Sequence, residues 1–382
     1  MQRIDSLDYL RGIMALSVMI YHYSSWYGLE LSPANPLEKL GIYAVSTFYI
    51  LSGVSLGLIY KDRITNFANV KAFYIKRLFR IIPLLWITIT AYITLKFLYS
   101  KISDTPFDYT AERILLNYSL AFSVYNISEY IPIGSWSIGN ELTFYAILPA
   151  IFLLNRKSKL FLPASIIGSL LIGYHFAFNI MRPELSVESQ WITYINPLNQ
   201  LYLFIAGVAL GAYLPKNHQK ITGAKRASLS VAMAFGALLF ALLPLDSQAE
   251  IVTGMSRVIL SACCILVVAC TYTLNPKSPP SMGKTLSTLG EGCYSIYLLH
   301  PLVSMTLVFA LSKIGIGTGP AYILSIFVTI AVSRLTYLYL EKPMMVIGKK
   351  ISNRATQGSA KGNPAGNDTQ DTAPRIETNE MH

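Results

Sequence analysis

The feature that most constrains this chain is its punctuation. Apolar stretches of about twenty residues recur along it, separated by short charged segments. About twenty apolar residues in helical conformation span the hydrocarbon core of a bilayer. Apolar residues make up 53% of the 382 positions and charged residues only 13%, against about 25% charged in an ordinary soluble domain. A disordered chain, a small disulfide scaffold and most soluble enzymes are excluded by that balance. Ten blocks are legible, roughly 7–28, 39–60, 81–100, 135–154, 160–179, 198–214, 227–245, 257–274, 289–311 and 320–340. The expected fold is all-α, a polytopic transmembrane bundle of about ten spans.

Loop charges orient it. With the N-terminus in the cytoplasm, segment 61–80 carries Lys61, Arg63, Lys71, Lys76, Arg77 and Arg80 against Asp62 alone. Lys and Arg also dominate 155–159, 215–226, 275–288 and the start of the tail, whereas 101–134, 180–197 and 246–256 lean acidic. This is the positive-inside pattern, and an even number of spans puts both termini in the cytoplasm. The net charge of +11 is read as topology, not nucleic-acid binding. Arg3, Asp5, Asp8 and Arg11 interrupt any signal-peptide core, so the first block is expected to stay in the mature protein. Residues 1–350 read as one integral membrane domain. Residues 351–382, rich in Asn, Thr, Gly and Ala, read as a disordered cytoplasmic tail. Cys263, Cys264, Cys270 and Cys293 all lie in or beside apolar blocks, so no disulfide framework is expected, and their spacing offers no zinc site.

Ionisable groups inside membrane spans are costly and mark function. Here they are Arg11, His22, Glu141, His175, Glu291, His300 and Arg334. Arg11 and His22 are eleven residues apart, hence about 20° apart around one helix and about 16 Å along it. They form a polar stripe between the two sides of the membrane. Arg11 could instead be a snorkelling anchor, and His22 a structural histidine bonded to a neighbouring helix. Glu141 lies about two turns into the fourth block, near the expected depth of His22, with Trp136 before it and Tyr145 one turn on. It reads as a partner of His22 or as a fixed polar contact of the bundle. His300 precedes Pro301, which frees a backbone carbonyl, so it serves either function or that irregular backbone. His175 reads as interfacial. Arg77 and Arg80 share a face at the expected start of the third span, where paired guanidinium forks and a helix N-terminus suit phosphate. Plain positive-inside anchoring is the simpler account of that pair. No Walker loop, Gly-x-Ser-x-Gly elbow or His-Glu-x-x-His helix is present.

Taken together the motifs resemble the acyltransferase family 3 membrane proteins, which acylate carbohydrates. The likeness runs through Leu7 to Leu16 with Arg11 and, after ten residues, His22. It continues in Phe48-Tyr49-Ile50-Leu51-Ser52-Gly53, Arg77-x-x-Arg80, Trp136-Ser137 with Glu141, Phe144 and Tyr145, Tyr294 to His300-Pro301, and Glu341-Lys342-Pro343. Asn140 before the glutamate and Tyr49 for a common Phe are departures. The resemblance implies a multi-pass protein of the bacterial inner membrane that transfers an acyl group, most often acetyl, from cytoplasmic acyl-CoA to a glycan hydroxyl on the outer side. Acetyl-CoA is then a donor substrate, with no permanently bound cofactor and no metal. The expected partners are acyl-CoA, a surface polysaccharide or its lipid-linked precursor, and membrane lipid. The resemblance also implies that Arg77, Arg80 and Arg11 bind the donor, that His22 is the general base, and that Glu141 orients it. Trp136, Tyr145 and His300 would line the site. The esterase-like outer domain fused in some relatives is not seen in this sequence, which implies direct transfer or a separate partner. The rival class is a transporter or flippase of a glycan or small solute, which would also line a path with Arg, His and Glu. A sensor without chemistry would not need the stripe or the arginine pair.

Overall fold

The computed structural model describes residues 4–214, 221 and 223–361, and among these there is no strand. Sixteen α-helices follow one another: α1 (Asp5–Tyr27), α2 (Pro36–Tyr60), α3 (Phe67–Ile102), α4 (Ala111–Ser119), α5 (Phe122–Tyr125), α6 (Ser135–Lys157), α7 (Phe161–His175), α8 (Trp191–Tyr194), α9 (Pro197–Tyr213), α10 (Gly223–Leu242), α11 (Gln248–Val252), α12 (Gly254–Leu274), α13 (Pro280–Glu291), α14 (Cys293–Ser312), α15 (Thr318–Thr336) and α16 (Lys342–Lys361). Nine helical stretches of the described residues are long and apolar enough to cross a membrane. They coincide with nine of the ten expected blocks. The first block is helical too, as α1, but Asp8, Arg11, His22 and its tyrosines leave it less apolar than the others. The protein is a multi-pass membrane bundle.

Local chemistry sets many of the boundaries. Asn35 accepts from Leu37 N at 2.8 Å before Pro36, and Asn196 accepts from Leu198 N at 2.9 Å before Pro197. Both are side-chain N-caps followed by a proline already held near helical φ. Gly28, at φ 92°, ends α1 in the left-handed region. Two π-helical turns, Phe176–Ile180 and Tyr337–Glu341, interrupt the regular ladder.

Helices α1, α2, α6, α9, α12 and α14 supply most of the core, and α7, α10 and α15 form the rim. On α10 the rim is plain: Val231, Phe235, Leu238 and Leu242 are exposed at helical spacing. An apolar stripe of that size belongs in lipid. The closest pair is α2 against α9. A Cβ on Gly53 or Gly57 would run into the backbone of Phe204 or Val208, and one on Gly207 or Gly211 into the carbonyls of Ile50 or Val54. Small residues four apart on facing helices let their backbones touch, which is how helices associate where no hydrophobic drive exists between them.

Three expectations need correction. The third span does not start at 81: α3 begins at Phe67, capped by Asn66, whose side chain accepts from Asn69 N at 3.0 Å. Segment 61–80 is therefore mostly helix, and Arg77 and Arg80 lie well inside α3, away from its N-terminus. Residues 351–361, expected to be disordered, continue α16, which runs to Lys361; positions 362–382 lie outside the described residues. Segment 215–226, expected to be a cytoplasmic loop, is in part the start of α10, and Lys216 and Lys220 lie outside the described residues.

Candidate active site

Two cavities sit back to back inside the bundle. The first is bounded by α1, α2, α3, α6 and α14 and is lined by Arg11, Arg77, Arg80, Ser52 and Glu141 among others. Three guanidinium groups in one partly buried space demand anionic company. Arg11 already has it: Nη1 donates to Asp8 Oδ1 at 2.7 Å, and Nη2 to Ser55 Oγ at 2.6 Å and Leu51 O at 3.3 Å. On Arg77 the Nε is buried without a hydrogen-bond partner. Its guanidinium carbon lies 5.9 Å from the Tyr60 ring. Arg80 lies within coulombic reach of Glu141, Tyr145 and Glu341. Glu141 accepts from Ser52 Oγ at 2.6 Å and from the Tyr145 hydroxyl, so the carboxylate is fixed to the wall.

The second cavity lies towards the N-terminal end of α2 and is lined by His22, Tyr21, Glu38, Trp136, Trp191 and Gln248 among others. Its walls mix aromatic rings with polar groups, among them the Glu38 carboxyl, the Gln248 amide and the tyrosine hydroxyls. Trp136 meets Trp191 edge to face, with centroids 5.6 Å apart and planes at 81°. Glu38 accepts from Gln248 Nε2 at 2.8 Å and from the Tyr21 hydroxyl at 3.3 Å. His22 bonds elsewhere: its Nδ1 lies 2.7 Å from His300 Nε2, and Trp26 lies parallel to it, with centroids 5.0 Å apart.

Val45 and Tyr297 line both cavities and so form the wall between them. The Tyr297 hydroxyl is anchored by donation to Gly134 O at 3.1 Å and by accepting from Ser137 Oγ at 2.8 Å. The ring packs edge to face on Phe48, with centroids 6.1 Å apart.

The family model described as an acyltransferase domain matches residues 4–338. The chain belongs to the acyltransferase family 3. Nodulation protein 10 of Rhizobium leguminosarum bv. viciae is 25% identical over 92% of this chain and 95% of its own length. The peptidoglycan O-acetyltransferase OatA of Listeria monocytogenes serovar 1/2a is 22% identical over 89% of this chain, which spans 56% of that longer protein. The exopolysaccharide production protein ExoZ of Rhizobium meliloti is 23% identical over 60% of this chain and 66% of its own length. No solved structure matches it.

Against this acyltransferase frame the sequence expectations sort cleanly. Arg11, Arg77, Arg80 and Glu141 come together in one cavity, with Tyr145 bonded just behind Glu141; His22 and Trp136 come together in the other. The expected His22–Glu141 pairing is not formed, because each group is bonded to other partners. The histidine that meets His22 is His300, buried at 1% exposure. His175 is exposed. Arg334 donates from Nη1 to Glu291 Oε2 at 2.9 Å, so that pair is structural. Ser52 and Tyr297 stand in the sequence only inside longer motifs, with no role expected of them, and Glu38 and the buried Lys39 go unmarked there. The first two carry no charge, and the last two stood at the edge of an apolar block.

Proposed function

We propose that this membrane acyltransferase is an O-acyltransferase that uses acyl-CoA, chiefly acetyl-CoA, from the cytoplasm and esterifies a hydroxyl of a cell-envelope glycan on the outer side. The observation that carries the proposal is the pair of cavities sharing Val45 and Tyr297, one rich in arginine and the other built around His22. The names of the peptidoglycan and exopolysaccharide relatives support a glycan acceptor.

The arginine cavity takes the donor. Arg77, with its unpartnered Nε, and Arg80 meet the phosphates of CoA through charge-assisted bonds. Arg11, held by Asp8 and Ser55, flanks the thioester arm. Glu141 does not orient the base; it holds Ser52 and Tyr145 and offsets part of the charge of Arg80. The acceptor sugar enters the aromatic cavity. His22 takes the proton of its hydroxyl as the oxygen attacks the thioester carbonyl at the wall by Tyr297. The tetrahedral intermediate collapses to the ester, the C–S bond breaks, and the CoA thiolate leaves and is protonated. The excess of Lys and Arg on the loops at the arginine end supports a cytoplasmic donor side, with both termini on that side.

Purified protein given labelled acetyl-CoA should release CoA and transfer label to glycan. A carrier would bind or move its ligand without thioester turnover, and that result would discard the enzyme reading. His22→Ala should abolish glycan acetylation while the membrane level of the protein is kept; normal acetylation would end the role of His22. Arg80→Ala should raise the KM for acetyl-CoA about tenfold or more, the cost of about 1.5–3 kcal/mol for a charged hydrogen bond. An unaltered KM would count against the phosphate assignment.

A further inference from the structure

His22 does not face a carboxylate; it faces a second histidine. Its Nδ1 and His300 Nε2 are 2.7 Å apart, the two ring planes lie within 13° of each other, and the ring centroids are 5.0 Å apart. The nitrogen–nitrogen separation spans the gap between the two ring edges, so the hydrogen bond lies close to the plane of both rings. On its other side His300 Nδ1 is 3.1 Å from the carbonyl of Ile296.

These two bonds fix the tautomers of the neutral pair. A carbonyl can only accept, so His300 Nδ1 carries its proton. In neutral imidazole the other nitrogen then holds the lone pair. His300 Nε2 is therefore the acceptor and His22 Nδ1 the donor, which leaves the lone pair of His22 on Nε2. That ring lines the aromatic cavity, whereas His300 lines neither cavity and sits behind it. His300 is itself held in place. Its backbone carbonyl accepts from the Tyr23 hydroxyl at 2.8 Å, and the same hydroxyl lies 2.9 Å from Thr329 Oγ1.

We propose that His300 is the positioning residue of the reaction, locking His22 in the tautomer whose Nε2 is free and sharing the charge His22 acquires when it takes the acceptor proton. The inference rests on the reading of His22 as the base. Here a neutral ring does what a buried carboxylate does in a Ser-His-Asp triad: it selects the tautomer and steadies the imidazolium. The Ile296 carbonyl dipole then stands behind His300, so charge spread over both rings ends on an acceptor. The groups facing His22 across its cavity are the carboxyl of Glu38 and the phenols of Tyr21, Tyr130, Tyr194 and Tyr297, with Tyr23 and Trp26 on its own helix. Glu38 is engaged by Tyr21 and Gln248, so no carboxylate competes for Nδ1.

Steady-state acetyl transfer by the full-length protein in detergent or nanodiscs tests the assignment. His300→Leu should lower kcat about 100-fold or more, within the range for general-base catalysis, with the KM for acetyl-CoA within about twofold of native. His300→Gln offers an amide oxygen in the same place and should recover kcat to within about tenfold of native, whereas His300→Asn is too short to reach Nδ1 and should not. In a His22→Ala background His300→Leu should subtract nothing further, because the two residues act as one unit. If the Leu variant fails to accumulate, the Gln and Asn pair decides: equal kcat in the two overturns the proposal. A native kcat in His300→Leu, with His22→Ala inactive, overturns the His300 role alone. Activity retained in His22→Ala brings down the base assignment on which it rests.

Discussion

At the scale of single residues, buried charge in this protein is answered by backbone as often as by opposite charge. Lys39 has no accessible surface, and its Nζ donates to the carbonyls of Phe240, Ala241 and Leu243 at 3.2, 3.0 and 2.6 Å. These are the carbonyls at the end of α10, where the helix leaves them without internal partners and where a cation is favoured. Lys39→Met keeps the bulk and removes the donors. It should cost about 1–3 kcal/mol, seen as a lower unfolding temperature in detergent, while the KM for acetyl-CoA stays native because Lys39 lines neither cavity. An unchanged unfolding temperature would mean that the three carbonyls find other partners. Lys39 also shows where sequence reading stops. It stands at the expected edge of a span, and the sequence does not reveal that a neighbouring helix ends beside it. Glu141 fails in a related way. Counting residues places it at the depth of His22, but depth does not fix which way the two helices turn their faces. The glutamate turns to Ser52 and Tyr145, and the histidine turns to His300.

At the scale of elements, the apolar blocks located nearly every helix because hydropathy measures the property that decides burial in lipid. The N-terminal half of α3 escaped because positive-inside counting locates charge and says nothing about backbone conformation. Asn66 caps that extension, and the stretch from Phe67 to Arg80 contains neither Gly nor Pro to stop it. The result moves Arg77 and Arg80 from a loop to a rigid helix face beside α6 and α14. Packing depends on a different code, the spacing of small residues. Gly207→Leu would force side-chain atoms into the Ile50 backbone across the α2–α9 contact, and the variant should be nearly absent from the membrane fraction. Gly168→Ala on rim helix α7 meets no atom within 4 Å and should accumulate to the native level. Immunoblots of membranes from matched cultures check both. Equal levels for the two variants would show that the close α2–α9 approach is dispensable.

At the scale of the whole molecule, the question is how one bundle would bring the proposed anionic donor and glycan acceptor to the same bond. The arginine cavity draws its positive charge from α1 and α3; the other draws its aromatic walls chiefly from α1, the start of α6 with the loop before it, and α8. The two touch at Val45 on α2 and Tyr297 on α14. This division follows from the antiparallel run of α1 beside α2: Arg11 bonds Ser55 near one end of α2, and His22 shares a cavity with Gly41 near the other. The stripe read from the sequence of α1 thus becomes the axis of the site, although the wall across it is made of residues with no charge to betray them. If acyl transfer occurs at that wall, its thickness governs the reaction. Val45 faces both cavities and is itself packed in the core between them. Val45→Phe should therefore thicken the wall and lower glycan acetylation by at least about tenfold, a barrier increase of about 1.4 kcal/mol, with acetyl-CoA binding unaltered. Binding measured by equilibrium dialysis and transfer measured on the same preparation separate the two effects. Native transfer in Val45→Phe would mean that the acyl group passes between the cavities by another route, and weakened acetyl-CoA binding would mean that the donor reaches past Val45 in the resting complex.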